Sequence, residues 1–375
     1  MGLPAGPIGA RVDHLTVDLV DDLVHGAGLL AAGGSRPLIA MARLRDALVE
    51  HGPVPLVDAD DLDAGALVVA ADVLGDGLPG QDAVHSAVAA AERRAGRACA
   101  AVIPLGAGGV GALAAPYAAA VLGLPCVDGD GGRRGSGRLD LTLFALGGLA
   151  ASPASASDQE GSLVTVDAAD NGVAHRLLQA GVTGLSGPAM VSAYPMTAAD
   201  CARTAAAGSL SRCAALGAML RTLGDEPALA ARLLATHATR LLFTGRITHV
   251  ARNGPPGAVR GTATVETTSP PTRTMRVDFQ RSNLVASEDG VVNATVPDLI
   301  SLVDADTWVP AHTERMESGQ LVHVLALAAH PRWHATAGIA VSGPRQYGYD
   351  IDYEPLDVPL DERDAVSTFG HLKGT

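Results

Sequence analysis

The stretch ACAAVIPLGAGGVGALAAPYAAAVLGLPCVDGD, residues 98–130, indicates the fold most directly. Residues 98–105 form a continuous apolar run of strand length, residues 112–122 have the composition of a helix, and residues 125–127 begin a second short apolar strand. Strands that are apolar on both faces are typical of parallel sheets covered by helices. The stretch therefore predicts a strand–helix–strand unit of an α/β domain.

The surrounding sequence extends this pattern and then changes it. Helical and strand-like runs alternate from residue 13 to about residue 240. Beyond that point the chain has short alternating runs such as VRGTATVET (259–267) and LVHVLALA (321–328), separated by Gly, Pro and Asn. We predict an α/β N-terminal domain with a mainly parallel sheet over 13–240, a smaller all-β, barrel-like domain over 241–360, and a tail over 361–375.

Composition excludes several classes of protein. The net charge of −13 is unsuited to non-specific binding of nucleic acid or of an anionic membrane surface. No apolar run reaches the ~18–20 residues of a spanning helix, and the four cysteines are scattered, as free thiols of a reducing compartment would be. We expect a cytoplasmic homo-oligomer that takes a small-molecule substrate and has no nucleic-acid or membrane partner.

The glycines after the first strand match a dinucleotide fingerprint. Gly106, Gly108 and Gly111 spell G-x-G-x-x-G between a strand and a helix, and the next strand ends at Asp128. Two facts weigh against a nucleotide. The chain has 44 glycines, so chance matches are common, and the motif does not lie on the first strand. We favour a tight strand-to-helix turn and do not expect a nicotinamide nucleotide.

The loop that follows, residues 128–140, carries three carboxylates and three guanidiniums among five glycines. Such a loop lies at the carboxyl end of a strand, where open α/β sheets place their ligand sites. Asp128 and Asp130 could hold a divalent cation through oxygen ligands or act in proton transfer. Arginines could clamp an anionic substrate. The alternative is a solvated loop whose opposite charges pair, and the density of charge favours a functional loop.

Histidines and tyrosines near the C-terminus are assigned structural roles. His330 lies beside Trp333 and His334, which indicates packing more than catalysis. GYDIDY, residues 348–353, alternates like a strand that closes a domain.

Several segments together resemble the S-methyl-thiohydantoin desulfurase family, whose members are often found beside hydantoinase and oxoprolinase subunits. The resemblance is collinear over nearly the whole chain. The similar runs are Gly33–Pro37, Pro55–Asp58, Val102–Pro104, Gly108–Val110, Gly123–Asp130, Asp170–Asn171, Tyr194–Thr197, Gly208–Ser211, Asp278–Ala286, Thr295–Ile300 and Gly343–Tyr353. The resemblance implies an α/β domain followed by a smaller β-barrel domain.

The chain departs from this family in its two loops. The family usually has Glu and Asn where this chain has Gly106 and Gly111, so two substitutions create the apparent fingerprint in a motif that is not a nucleotide loop. A Pro-Glu-Leu-Gln run of the family is replaced by Gly137-Arg138-Leu139-Asp140. Loss of two glutamates and gain of an arginine inverts the local charge, so the proton-transfer chemistry of typical members does not carry over directly.

The resemblance implies an enzyme that acts on a small cyclic amide, amidine or thioimidate metabolite as a hydrolase or lyase. The altered loop favours a specialised substrate of secondary metabolism. The candidate catalytic residues are Asp128, Asp130, Arg134, Arg138 and Asp140. The candidate substrate-binding residues are Gly106, Gly108, Gly109, Asp170 and Asn171. Two alternatives stay open: a non-catalytic partner of a hydantoinase-like enzyme, and a nicotinamide-dependent oxidoreductase.

Overall fold

The computed structural model describes residues 11–135, 137–223, 230, 234, 238–254 and 260–358. The predicted tail, 361–375, lies outside these residues. The described chain divides into two compact units. The first contains Pro37–Gly217 and the residues up to Ala27, and the second contains Gly28–Arg36 and the residues from Ala218 onward. The short segment Gly28–Arg36 is thus separated in sequence from the rest of its unit.

The first unit is built from short helices and strands that alternate along the chain. Its strands are β1 (His14–Leu15), β2 (Val54–Val57), β3 (Leu67–Leu74), β4 (Cys99–Pro104), β5 (Cys126–Val127), β6 (Gly129–Asp130), β7 (Ala154–Ser157), β8 (Leu163–Val166), β9 (Ala189–Thr197) and β10 (Ala206–Ala207). Its helices are α1 (Val20–Leu30), α2 (Met41–His51), α3 (Gln81–Ala95), α4 (Gly111–Leu122), α5 (Leu143–Leu146), α6 (Asn171–Val182), α7 (Ala198–Thr204) and α8 (Ser209–Thr222); α1 and α8 run on into the second unit.

An eight-stranded sheet forms the centre of this unit, in the order β1-β2-β5-β4-β3-β9-β7-β8. The four neighbouring strands β2, β5, β4 and β3 are parallel, as predicted. Antiparallel strands flank them on both sides. A separate two-stranded ribbon joins β6 to β10.

The stretch 98–130 folds as its pattern predicts. Its first apolar run becomes β4, which is buried along almost its whole length because strands pair with it on both sides. The Ala-rich run becomes α4, and all its residues but the last are buried. Gly123 ends α4 with φ of 65°, a left-handed conformation that suits glycine. The chain then enters β5, and the loops after β4 and β5 emerge at the same edge of the sheet because the two strands are parallel.

In its described residues, the second unit is all-β apart from helices. Its strands are β11 (Thr239–Asn253), β12 (Arg260–Glu266), β13 (Thr274–Gln280), β14 (Ser282–Glu288), β15 (Val291–Thr295), β16 (Leu299–Asp304) and β17 (Leu321–Leu327), followed by α9 (Pro331–His334) and α10 (Thr336–Ser342). The strands form one antiparallel sheet in the order β15-β14-β13-β12-β11-β17-β16. Because β16 also contacts β14 and β15, the sheet curls into a half-barrel.

The fold class is therefore the predicted one: an α/β unit followed by an all-β unit. One local prediction is wrong, since residues 350–356 form no regular secondary structure where GYDIDY predicted a strand. Among the helices in the described part of the chain, none has the length and apolar character needed to cross a bilayer.

Candidate functional site

The glycine-rich loop 106–111 is a buried turn that connects β4 to α4. Gly109 has φ of 71°, and its N–H donates to the carbonyl oxygen of Ala27 at 2.8 Å. A Cβ atom on Gly106 would collide with the carbonyl oxygen of Arg134, and one on Gly111 would lie 2.9 Å from Oδ1 of Asp72. Gly106 therefore allows this loop to pack against the backbone of the neighbouring loop of residues 128–140, here called the acidic loop, and Gly111 allows it to pack against the side chain of Asp72.

Asp130 links the two loops. Its side chain is fully buried, and Oδ2 accepts the N–H of Ala107 at 2.6 Å. Its carboxylate also accepts the N–H of Arg133 at 2.8 and 2.7 Å and the hydroxyl of Ser209 at 2.8 Å. Burial raises the pKa of Asp130, and the hydrogen bonds from Ala107, Arg133 and Ser209 oppose that rise.

Asp128 caps helix α8. Its Oδ1 accepts the N–H groups of Leu210 and Ser211 at 2.9 and 3.1 Å, and its Oδ2 accepts the hydroxyl of Ser211 at 2.6 Å. These amides belong to the first turn of the helix, whose N–H groups have no partner within the helix. The carboxylate supplies that partner and lies at the positive end of the helix dipole.

The first two arginines of the acidic loop are both buried. Arg133 has φ of 54°, and its Nη2 donates to the carbonyl oxygen of Ala207 at 2.9 Å. Arg134, the predicted anion clamp, is 6% exposed. Near the start of the same loop, the carbonyl oxygen of Gly131 accepts the N–H of Leu143 at 2.7 Å.

Arg138 and Asp140 form an ion pair at the surface. Nε of Arg138 donates to Oδ1 of Asp140 at 3.0 Å, and Nη2 donates to Oδ2. Their side chains are 47% and 26% exposed. Burial raises the pKa of Asp140, but the hydrogen bonds and charge of Arg138 outweigh it, so the pKa lies below its ordinary value. Asp140 is thus an anionic, solvent-accessible carboxylate at neutral pH.

Asp170 and Asn171 begin helix α6. Oδ1 of Asp170 accepts the N–H of Val173 at 2.8 Å, as an N-cap residue does. Oδ1 of Asn171 accepts the N–H of Ala151 at 2.8 Å, and its Nδ2 donates to the carbonyl oxygen of Leu149 at 2.9 Å. The amide of Asn171 therefore holds a neighbouring loop.

The structure sorts the predicted residues into two groups. The first joins the glycines of 106–111 with Asp128 and Asp130 at the start of α8. The second joins Arg138 and Asp140 with the start of α6, where Oδ2 of Asp140 lies 3.5 Å from the position of a Cβ on Gly172. The sequence-based analysis missed two buried contributors. No motif marks Asp72, and Tyr194 stood only at the start of the family-like run Tyr194–Thr197. Ser209 and Ser211 stood only within the family-like run Gly208–Ser211, and in the structure they donate to Asp130 and Asp128.

Metal and cofactor binding remain predictions. Within the described residues, no group of three or more His, Cys, Asp or Glu side chains is arranged to hold a metal ion. Asp128 and Asp130 each accept several hydrogen bonds from the protein itself. An ion at either carboxylate would have to share its oxygen atoms with these hydrogen-bond donors or displace the donors.

Comparison with known proteins places this geometry in a family. The model for the N-terminal domain of S-Me-THD-like proteins matches residues 18–168, and the model for the C-terminal domain of S-Me-THD-like proteins matches residues 169–356. The chain belongs to the S-Me-THD-like family. This confirms the family resemblance on which the sequence-based expectations rest. Among curated proteins, none matches the chain.

A solved structure shares the fold of this S-Me-THD-like chain. It is the X-ray crystal structure of a protein from Chromobacterium violaceum, with a TM-score of 0.78 and 23% sequence identity. The similarity covers 92% of this chain and 100% of that one. At this identity the likeness concerns the fold.

Proposed function

We propose that this S-Me-THD-like protein is an enzyme that acts on a small heterocycle of the cyclic amide, amidine or thioimidate class. Family membership supports an enzyme of this general kind. The observation that carries the proposal is the Arg138–Asp140 pair, which presents a guanidinium and an anionic carboxylate to solvent beside the first turn of α6.

The three carboxylates of the acidic loop differ in what they can do. Asp128 and Asp130 are 3% and 0% exposed and accept hydrogen bonds from the loops and from α8, so their role is to hold the loops in place. Asp140 is partly exposed, and its pKa is lowered by Arg138. A carboxylate of this kind is ionised near neutral pH, so it is able to accept a proton in the reaction but has none to donate.

The chemistry that fits is hydrolysis at an sp² ring carbon. Asp140 takes a proton from water, the resulting hydroxide adds to the ring carbon, and a C–N or C–S bond then breaks. The leaving nitrogen or sulfur receives a proton in return, so the net reaction consumes one water. Arg138 offsets negative charge that develops on the ring during the addition.

The test is turnover of a panel of hydantoins, S-alkylated thiohydantoins and cyclic amidines by the whole chain. Asp140→Asn is expected to reduce kcat/KM by about 100-fold, the lower end of the usual range for loss of a general base. Asp167→Asn is the matched control, since Asp167 is also a surface aspartate with an arginine neighbour, 3.9 Å from Arg94. Wild-type activity that survives Asp140→Asn unchanged would remove Asp140 from the reaction.

A second candidate is a non-catalytic partner of a hydantoinase-like enzyme. The observation that favours it is that Asp128 and Asp130 bond the protein's own backbone. The wild-type chain would then turn over no member of the panel and show no thermal shift with any of them. It would co-elute with a hydantoinase-like enzyme in size-exclusion chromatography. Turnover by the isolated chain would exclude this role as its only one.

A further inference from the structure

Tyr194 has an unusual conformation at the centre of the first unit. It lies in β9 with 0% exposure and φ of 50°. Non-glycine residues rarely adopt this left-handed conformation, and bulky ones very rarely, so the surrounding contacts must hold it there. Its ring packs against Phe144 with a centroid distance of 5.2 Å. The backbone conformation sets the direction in which the phenol points.

The hydroxyl of Tyr194 bonds both ends of a short loop segment. It donates to the carbonyl oxygen of Leu139 and accepts the hydroxyl of Thr142 at 3.1 Å. Leu139 lies between Arg138 and Asp140 in the sequence. One buried oxygen atom therefore holds the backbone from which the ion pair projects.

The same hydroxyl also bonds the start of α6. It accepts Nδ2 of Asn171 at 3.3 Å, and Oδ1 of Asn171 accepts the N–H of Ala151. The carbonyl oxygen of Ala151 in turn accepts the N–H of Tyr194 at 3.0 Å. These three bonds form a closed ring that ties Tyr194 to α6 independently of its bonds to the loop.

The geometry points to Tyr194 as a positioning residue, which sets the Arg138–Asp140 pair against the start of α6. This inference rests on the proposed function, in which that pair meets the substrate. The phenol itself is buried and bonded, so it acts through the backbone of Leu139 and not on the reacting atoms.

Several charged groups face Asp140 besides Arg138. His175 of α6 contributes to the lowered pKa of Asp140, and Arg176 and Asp170 lie close to Gly172, beside which Oδ2 of Asp140 also lies. Because Arg138 is the largest of the influences that lower this pKa, a looser loop weakens the pair and moves the pKa of Asp140 upward.

The test compares Tyr194→Phe with Tyr117→Phe. Both variants keep the ring and remove a buried hydroxyl, but Tyr117 in α4 donates to the carbonyl oxygen of Pro79 at 2.8 Å and does not bond the acidic loop. Tyr194→Phe is expected to lower kcat about tenfold with a smaller change in KM, and to shift the acid limb of the pH profile upward. Tyr117→Phe is expected to change neither kcat nor the acid limb.

A substrate-free measurement separates this inference from the proposed function. Carboxyl NMR of the whole chain reports the pKa of Asp140, and hydrogen exchange reports the amide of Ala151. Tyr194→Phe should raise that pKa and quicken that exchange relative to both wild type and Tyr117→Phe. If these changes appear and wild type turns over no member of the panel, the positioning stands and the proposed function fails. If the pKa of Asp140 is unchanged in a folded Tyr194→Phe protein, the inference is overturned whatever the activity.

Discussion

The carboxylate of Asp130 accepts a hydrogen bond from the backbone N–H of Ala107 at 2.6 Å, and so joins two loops that are 23 residues apart in the sequence. The loops follow β4 and β5, which are parallel neighbours, so they emerge at one edge of the sheet. Among the described residues of this loop, no other side chain is as fully buried. Asp130 therefore links the two loops from a buried position.

Replacement of Asp130 by Asn is expected to destabilise the first unit. The amide places an NH₂ group where the carboxylate accepts N–H groups of Ala107 and Arg133, so one buried donor loses its partner. A lost buried hydrogen bond of this type costs ~1–3 kcal/mol. The measurement is the free energy of unfolding in urea, followed by far-UV circular dichroism. Asp82→Asn, at the exposed start of α3, serves as the control, and equal stability of the two variants would contradict this role for Asp130.

The close approach of the two loops predicts that Gly106 cannot be replaced by a larger residue without loss of stability. Gly106→Ala places a methyl group against the carbonyl oxygen of Arg134, which belongs to the backbone and cannot move aside cheaply. We expect a loss of ~1–3 kcal/mol in unfolding free energy. Gly184→Ala is the matched control, because the nearest atom to its Cβ lies 3.6 Å away. Thermal unfolding of both variants decides the point, and a Gly106→Ala protein as stable as Gly184→Ala would show that the loops are not in contact.

Much of the first unit could be predicted because its signals are local. The apolar runs of residues 98–130 identify β4, α4 and β5 directly, and the glycines mark the turn between them. The hydrogen-bond partners of each carboxylate could not be predicted. Asp128 and Asp130 have the same spacing whatever their side chains bond, and their partners at the start of α8, Leu210 and Ser209, lie about 80 residues later in the sequence.

In the second unit, too, contacts between distant side chains could not be predicted from the sequence. Asp298, His334 and Tyr353 are far apart in the sequence, and none carries a motif of its own. In the structure Asp298 is 0% exposed and accepts the N–H of Ala329 at 2.8 Å, Nε2 of His334 at 3.1 Å and the hydroxyl of Tyr353 at 2.9 Å. The alternation of GYDIDY predicted a strand. Tyr353 is held instead by a side-chain hydrogen bond. The periodicity of a sequence does not indicate bonds of this kind.

Loss of the Tyr353 hydroxyl is expected to destabilise the second unit alone. Tyr353→Phe removes one of the three donors to a buried carboxylate, which corresponds to ~1–2 kcal/mol. Both tryptophans of the chain, Trp308 and Trp333, lie in this unit, so tryptophan fluorescence during urea unfolding reports on it selectively. Tyr347→Phe is the control, since the contact of Tyr347 with Gln280 is made by its backbone carbonyl oxygen. A fluorescence midpoint that is the same in both variants would show that the bond contributes nothing.

The pH dependence of the stability of the second unit should reflect the titration of Asp304. Its Oδ1 accepts the N–H and the hydroxyl of Thr307 at 2.8 and 2.7 Å. Burial raises the pKa of Asp304, but these bonds outweigh it and the pKa lies below its ordinary value. A carboxyl group with a lowered pKa in the folded state stabilises the protein above its unfolded-state pKa, and this contribution is lost as pH falls through the folded-state value.

Asp304→Ala should therefore be less stable than wild type at pH 7, by ~1–2 kcal/mol for the lost bonds to Thr307. The difference should shrink below about pH 4, because the carboxyl group of Asp304 in the wild-type protein becomes protonated there. Urea unfolding followed by tryptophan fluorescence between pH 3 and pH 7 measures it. Asp306→Ala is the control, because Asp306 contributes only its backbone N–H to this turn, at 3.2 Å from Oδ1 of Asp304. A difference between Asp304→Ala and wild type that stays constant over this range would mean that the charge of Asp304 contributes nothing to the turn.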